Sequence, residues 1–93
     1  MASEVIKKDG SRQPFDAEKI RISITIAAEQ ANLLGERKNE VVEKVTAVVM
    51  QMVEGREEIA TSEIKEKILS ELDLIEPAVS ASWRRYEQEK KGV

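Results

Sequence analysis

The sequence predicts an α+β domain in which a short N-terminal β-hairpin caps a four-helix bundle. Three observations carry this. Val5 to Phe15 holds two short alternating stretches around an Asp-Gly pair. Downstream, apolar residues recur at helical spacing in four segments. The 93 residues suffice for one domain, 1–93, that buries roughly 60 to 65% of its unfolded surface.

From Glu4 to Lys8 the side chains alternate, Val5 with Lys7 and Ile6 with Lys8, as a strand requires. Asp9-Gly10 supplies residues that tolerate positive φ in a two-residue hairpin turn. Ser11 to Phe15 returns as the second strand. Pro14, which has no amide hydrogen, restricts that strand to an edge or to its last pairing position. A lone hairpin is marginal in water, so this one must pack on the helices.

Asp16 is an N-cap for the first helix, whose apolar positions are Ile20, Ile24, Ala27, Ala28 and Ala31. Ile20, Ile22, Ile24 and Ile26 also alternate as a strand would. The preceding cap and the helix-forming Ala-Ala-Glu-Gln-Ala run favour helix. Gly35 is the expected left-handed cap. Asn39 is the expected start of the second helix, with Val41, Val42, Val45, Val48, Val49 and Met52 as its stripe and Gly55 as its end. Arg56 to Glu58 reads as a solvated loop, with Ile59 turned inward. Thr61 or Ser62 caps the third helix, which buries Ile64, Ile68, Leu69 and Leu72. Pro77 opens the fourth, with Val79, Ser82 or Trp83, and Tyr86 inward. Residues 1–3 and 88–93 are expected to be disordered or frayed.

Composition excludes several chemistries. The chain has no cysteine and no histidine. That removes disulfides, thiolate or imidazole metal sites, and Ser-His-Asp or Cys-His catalysis. Charged residues make up 35% and the net charge is -3, so no basic field points to nucleic acid. The opening residues lack an apolar signal core. The longest uncharged run, Val45 to Val53, is half of a membrane span. The expectation is a cytoplasmic protein with no membrane partner and no direct nucleic acid contact.

By charge alone Lys7, Lys8, Arg12, Lys19 and Arg21 read as a solvated strand edge, because Glu4, Asp9, Asp16 and Glu18 nearly balance them. If the hairpin folds over the start of the first helix, Lys7, or Lys8 on the other face, approaches a terminus that already favours anions, and Lys19 adds a second cation. Val5, Ile6, Phe15 and Ile20 can then wall a flat, uncharged ring. Phosphates at one end and an apolar slot at the other suit a nucleotide. No Walker A loop and no carboxylate cluster for magnesium accompany them, so the ligand is held rather than hydrolysed and no enzyme is expected.

The run Val5-Ile6-Lys7-Lys8-Asp9-Gly10, followed by Phe15-Asp16 and Lys19-Ile20, closely resembles the opening motif of the ATP-cone domain. The Thr61 to Ile64 helix start and the aromatic, arginine-containing last helix fit the same family. The resemblance covers about Glu4 to Tyr86. It implies an allosteric module for ATP or dATP, with Mg2+ entering only through the phosphates. Such modules sit at the N-termini of ribonucleotide reductase large subunits and in zinc-containing repressors of their genes. Carried over by position, Val5 and Ile6 meet the base and hairpin backbone, Lys7, Lys8 and Lys19 meet phosphates, and Gln13 makes a polar contact. Phe15 and Ile20 belong to the apolar wall, and Thr61 and Lys65 lie near the ligand.

The last helix, Ala81-Ser82-Trp83-Arg84-Arg85-Tyr86, departs from the common family form, which has a tyrosine earlier and a Tyr-Arg pair. Trp83 and Tyr86 read as core anchors. The chain carries neither a catalytic barrel nor a zinc ribbon. The regulated partner is therefore an enzyme or repressor domain elsewhere, or the cone's own oligomer. The alternative is a small helical protein-interaction domain that binds no nucleotide.

Overall fold

The computed structural model describes residues 4–91. Strand β1 (Glu4–Ile6) pairs antiparallel with β2 (Arg12–Pro14), with Val5 opposite Gln13 and Pro14 at the last pairing position. The connection runs over residues 7–11, and a bond between Lys7 and Ser11 closes it around three residues, 8–10. The Lys7 amide donates to the Ser11 carbonyl and the Gly10 amide donates to the Lys7 carbonyl, both at 2.9 Å. Within this loop only Gly10 takes a left-handed φ, +87°, as in a type I turn closed by a glycine bulge. The expected two-residue turn gives way because Asp9 turns its carboxylate onto Ser11, accepting from both its amide (2.9 Å) and its hydroxyl (2.6 Å). These two bonds hold the Asp9 carboxyl below the usual carboxylate range.

A third strand, β3 (Glu58–Ala60), replaces part of the expected loop. It pairs parallel with β1, with Val5 opposite Ile59, and the sheet order is β2-β1-β3. On the central register Val5 and Ile59 share a face. Ile59 is fully buried and Val5 packs against the same core. Arg12, on an edge strand, pairs with Glu58 across β1 and with Glu4 at 3.7 Å.

Helix α1 (Ala17–Gln30) begins where the Asp16 carboxylate accepts from the Glu18 amide at 2.9 Å. It ends in a Schellman motif: the Leu33 amide donates to the Ala28 carbonyl at 2.9 Å and the Asn32 amide to Glu29 at 3.0 Å. Asn32, φ 66°, takes the helix-ending position assigned to Gly35, although Gly35 is left-handed as well, φ 58°. Gly35 is instead the first residue of α2 (Gly35–Glu54), and Asn39 lies a turn inside that helix. Helix α3 (Thr61–Ile75) follows β3 directly. Its flanking cap is Ala60, with no side-chain cap bond. Helix α4 (Pro77–Lys91) starts at the proline, as expected. It continues through the charged segment to Lys91. The expectations for residues 1–3 and 92–93 fall outside the described residues.

Each helix packs on two neighbours: α1 and α3 each lie against both α2 and α4. The core is Ile24, Ala27 and Ala28 of α1, the Val41, Val42, Val45, Val49 and Val53 stripe of α2, Ile59, the Ile64, Ile68 and Leu72 row of α3, and Val79. Val48, Met52 and Leu69 are only half-buried. Because β2 leads into α1 and β3 into α3, the sheet sits at the end of the bundle where those two helices start. Arg21 joins α1 to α2 through Glu43 at 3.1 Å, and Arg37 joins α2 to Glu76 at 2.9 Å.

Candidate functional site

A cavity of about 480 Å³ opens between α1, α3, α4 and the hairpin turn. Helical spacing builds its walls. Ser23, Ile26, Ala27 and Gln30 follow one another along one flank of α1, and Trp83, Tyr86 and Glu87 do the same on α4. Lys65 enters from the second turn of α3 and Lys8 from the turn above. Exposed apolar surface at Ile26 and Tyr86, 47% and 50% accessible, faces this opening.

The polar groups are organised around one carboxylate. Glu87 accepts from the Trp83 indole N–H at 3.1 Å and from the Lys65 ammonium. The Ser82 hydroxyl, buried at the edge of this wall, lies 3.4 Å from Gln30 Oε1 as donor. The cavity thus combines two ammonium groups and one carboxylate with two aromatic rings and an aliphatic side chain. Such a lining can hold a flat ring against Trp83, Tyr86 and Ile26 while an anionic tail reaches Lys8 and Lys65.

Of the residues singled out in the sequence, Lys8 and Lys65 are brought together in this lining. Ile6 and Thr61 meet directly, the Thr61 hydroxyl donating to the Ile6 carbonyl at 3.1 Å. Val5, Phe15 and Ile20 are each partly buried against the bundle core and do not line the cavity. Gln13 is half-buried opposite Val5. Lys7 and Lys19 are exposed and do not line the cavity. At the start of α1, where an anion was expected, the Asp16 carboxylate already occupies the Glu18 amide.

Sequence reasoning missed Ser23, Ile26, Gln30, Trp83, Tyr86 and Glu87. The last helix held the usable signal: an aromatic pair three residues apart followed by an acid. By spacing it reads as core, yet Tyr86 is half exposed and Trp83 half-buried. They share the helical stripe of Val79, but only Val79 is fully buried: Trp83 packs against the core with one side and lines the cavity with the other, and Tyr86 lies beyond the core.

Among the described residues no group of three or more acidic side chains is placed to hold a metal ion. None of their helices is long and apolar enough to cross a membrane.

The family model for the ATP cone domain matches residues 3–91. Among curated proteins, the chain is 41% identical over 76 residues to the transcriptional repressor NrdR of Syntrophus aciditrophicus (strain SB), covering 78% of this chain and 46% of that protein. It is 34% identical over 68 residues to the transcriptional repressor NrdR of Leptothrix cholodnii, covering 73% and 45%. The corresponding repressor of Dictyoglomus thermophilum is 32% identical over 68 residues, with 73% and 44% covered. The chain spans less than half the length of these relatives. The expectation of no direct nucleic acid partner does not stand against them, because transcriptional repression is exercised on DNA. The net charge of -3 belongs to this chain alone and does not bear on what the rest of those repressors contacts.

Proposed function

The chain belongs to the ATP-cone domain family, whose members are nucleotide-binding regulatory modules, and from that premise we propose that it binds ATP or dATP in the cavity beneath the Lys8 turn. The observation that carries this is the composition of that one lining. Ile26, Trp83 and Tyr86 supply an apolar slot for a purine, and Lys8 and Lys65 supply cations for a polyphosphate. Ser23 and Gln30 add neutral hydrogen-bonding groups suited to a sugar or a base edge. Mg2+, where present, enters with the phosphates, which is consistent with the acid-poor surroundings.

The role is regulatory and non-catalytic. A ligand seated here touches the hairpin through Lys8, α3 through Lys65 and α4 through Trp83, so it biases how those elements pack. ATP and dATP transmit different signals only to the extent that they differ in affinity for the alternative packings. The likeness to repressors supports a partner of the repressor kind, with the nucleotide state passed to a DNA-binding part or to self-association. Thermal unfolding with and without nucleotide tests the reading. A ligand at a hundred times its dissociation constant adds about 2.7 kcal/mol. No shift with either ATP or dATP at millimolar concentration would sink it.

A further inference from the structure

The Glu87 carboxylate lies inside the cavity, bound to the Lys65 ammonium and to the Trp83 indole N–H at once. Both donors are themselves cavity-lining groups. Lys65 to Glu87 is one polar link between α3 and α4, and the joint has another: Asp73 accepts from Arg84 at 2.9 and 3.0 Å and from Ser80 at 2.5 Å. Resting on the nucleotide reading of this cavity, we infer that Glu87 is an intramolecular anion that occupies the phosphate-binding ammonium of Lys65 and must be displaced when the ligand enters.

The physical argument is competition for one cation. The Lys65 and Glu87 side chains are 44% and 26% accessible. Water therefore screens the pair, and it is weak enough to exchange. A polyphosphate carries several negative charges and also draws on Lys8, so it outcompetes a single carboxylate for Lys65. When Glu87 leaves, Trp83 loses the acceptor of its indole N–H. Ligand entry is thereby coupled to the α3–α4 contact, a connection between site and packing that apolar walls alone do not provide.

The test compares ATP binding by calorimetry in the full chain with that of Glu87→Gln and Glu66→Gln. The glutamine at 87 keeps an oxygen acceptor for Trp83 and removes the charge. Glu66 is exposed on α3 outside the cavity lining, so its variant controls for net charge. Glu87→Gln is expected to tighten ATP binding about two- to fivefold, the fold-change that corresponds to a screened ion pair, while Glu66→Gln stays within measurement error of wild type. Binding by Glu87→Gln that is equal to or weaker than wild type, or an equal gain in both variants, overturns this inference and leaves the nucleotide site standing. Absence of ATP binding in all three chains overturns the site itself and the inference with it.

Discussion

The Thr61 hydroxyl donates to the Ile6 carbonyl across 3.1 Å, joining the first residue of α3 to the last residue of the central strand. These residues stand 55 positions apart in sequence, and the bond reinforces the parallel pairing that brings Ala60 opposite Ile6. Thr61→Val keeps the side-chain shape and removes the donor. It should cost about 1 kcal/mol of stability, the usual net worth of such a bond, measured as a lower urea midpoint with an unchanged slope.

Asn32 holds φ at 66° in the turn that ends α1. Alanine keeps the Cβ in the left-handed region but loses the side-chain amide that makes asparagine tolerant of it, and should cost about 1 kcal/mol. Asn32→Gly should be neutral within a few tenths of a kcal/mol, since glycine adopts this conformation freely. Paired melts distinguish the two outcomes, and equal losses would contradict the capping role.

How much of this was legible beforehand follows from particular residues. Asp16 and Pro77 mark helix starts by local chemistry, and they appear where their side chains demand. The valine stripe of α2 is also plain, because burial on one face needs a 3.6-residue period. Strand β3 was hidden: Glu58-Ile59-Ala60 is too short to show alternation, and its partner lies more than 50 residues upstream. The α2 boundary moved because Asn32 and Gly35 both tolerate positive φ, and only tertiary geometry decided which would end α1. The cavity was half legible. Lys8 and Lys65 carried charge in suggestive places. Trp83 and Tyr86 read as core in the sequence because the spacing of a helical stripe does not say whether it faces a core or a cleft.

Thr46 lies on α2 at 1% accessibility, and its hydroxyl has no hydrogen-bond partner among the described residues. An unpaired buried hydroxyl costs stability that an isosteric methyl does not. Thr46→Val should therefore stabilise the fold by about 1 kcal/mol in urea unfolding. A loss would mean that the hydroxyl is satisfied in solution.

Asp73 sits between α3 and α4, and the Arg84 guanidinium, followed by the Ser80 hydroxyl, lowers its pKa from 3.8 to about 2. A carboxyl whose folded pKa is depressed contributes stability above its unfolded pKa, and that contribution fades as pH falls through the folded value. The window is therefore about pH 4 to pH 2. Between those limits Asp73→Asn should show a shallower fall in stability than wild type. Parallel pH profiles would remove Asp73 from the acid response.

The central claim is that Lys8 and Lys65, on a hairpin turn and a helix separated by most of the chain, hold one polyphosphate beside Trp83. Calorimetric titration of ATP and dATP into the wild-type chain and into the Lys8→Ala, Lys65→Ala double variant tests it most directly. Saturable binding by the wild type, weakened about tenfold or more in the double variant, is the expected result, since each charge-assisted contact is worth about 1.5–3 kcal/mol where fully formed. Equal affinity in both chains, with the double variant still folded by circular dichroism, would contradict it.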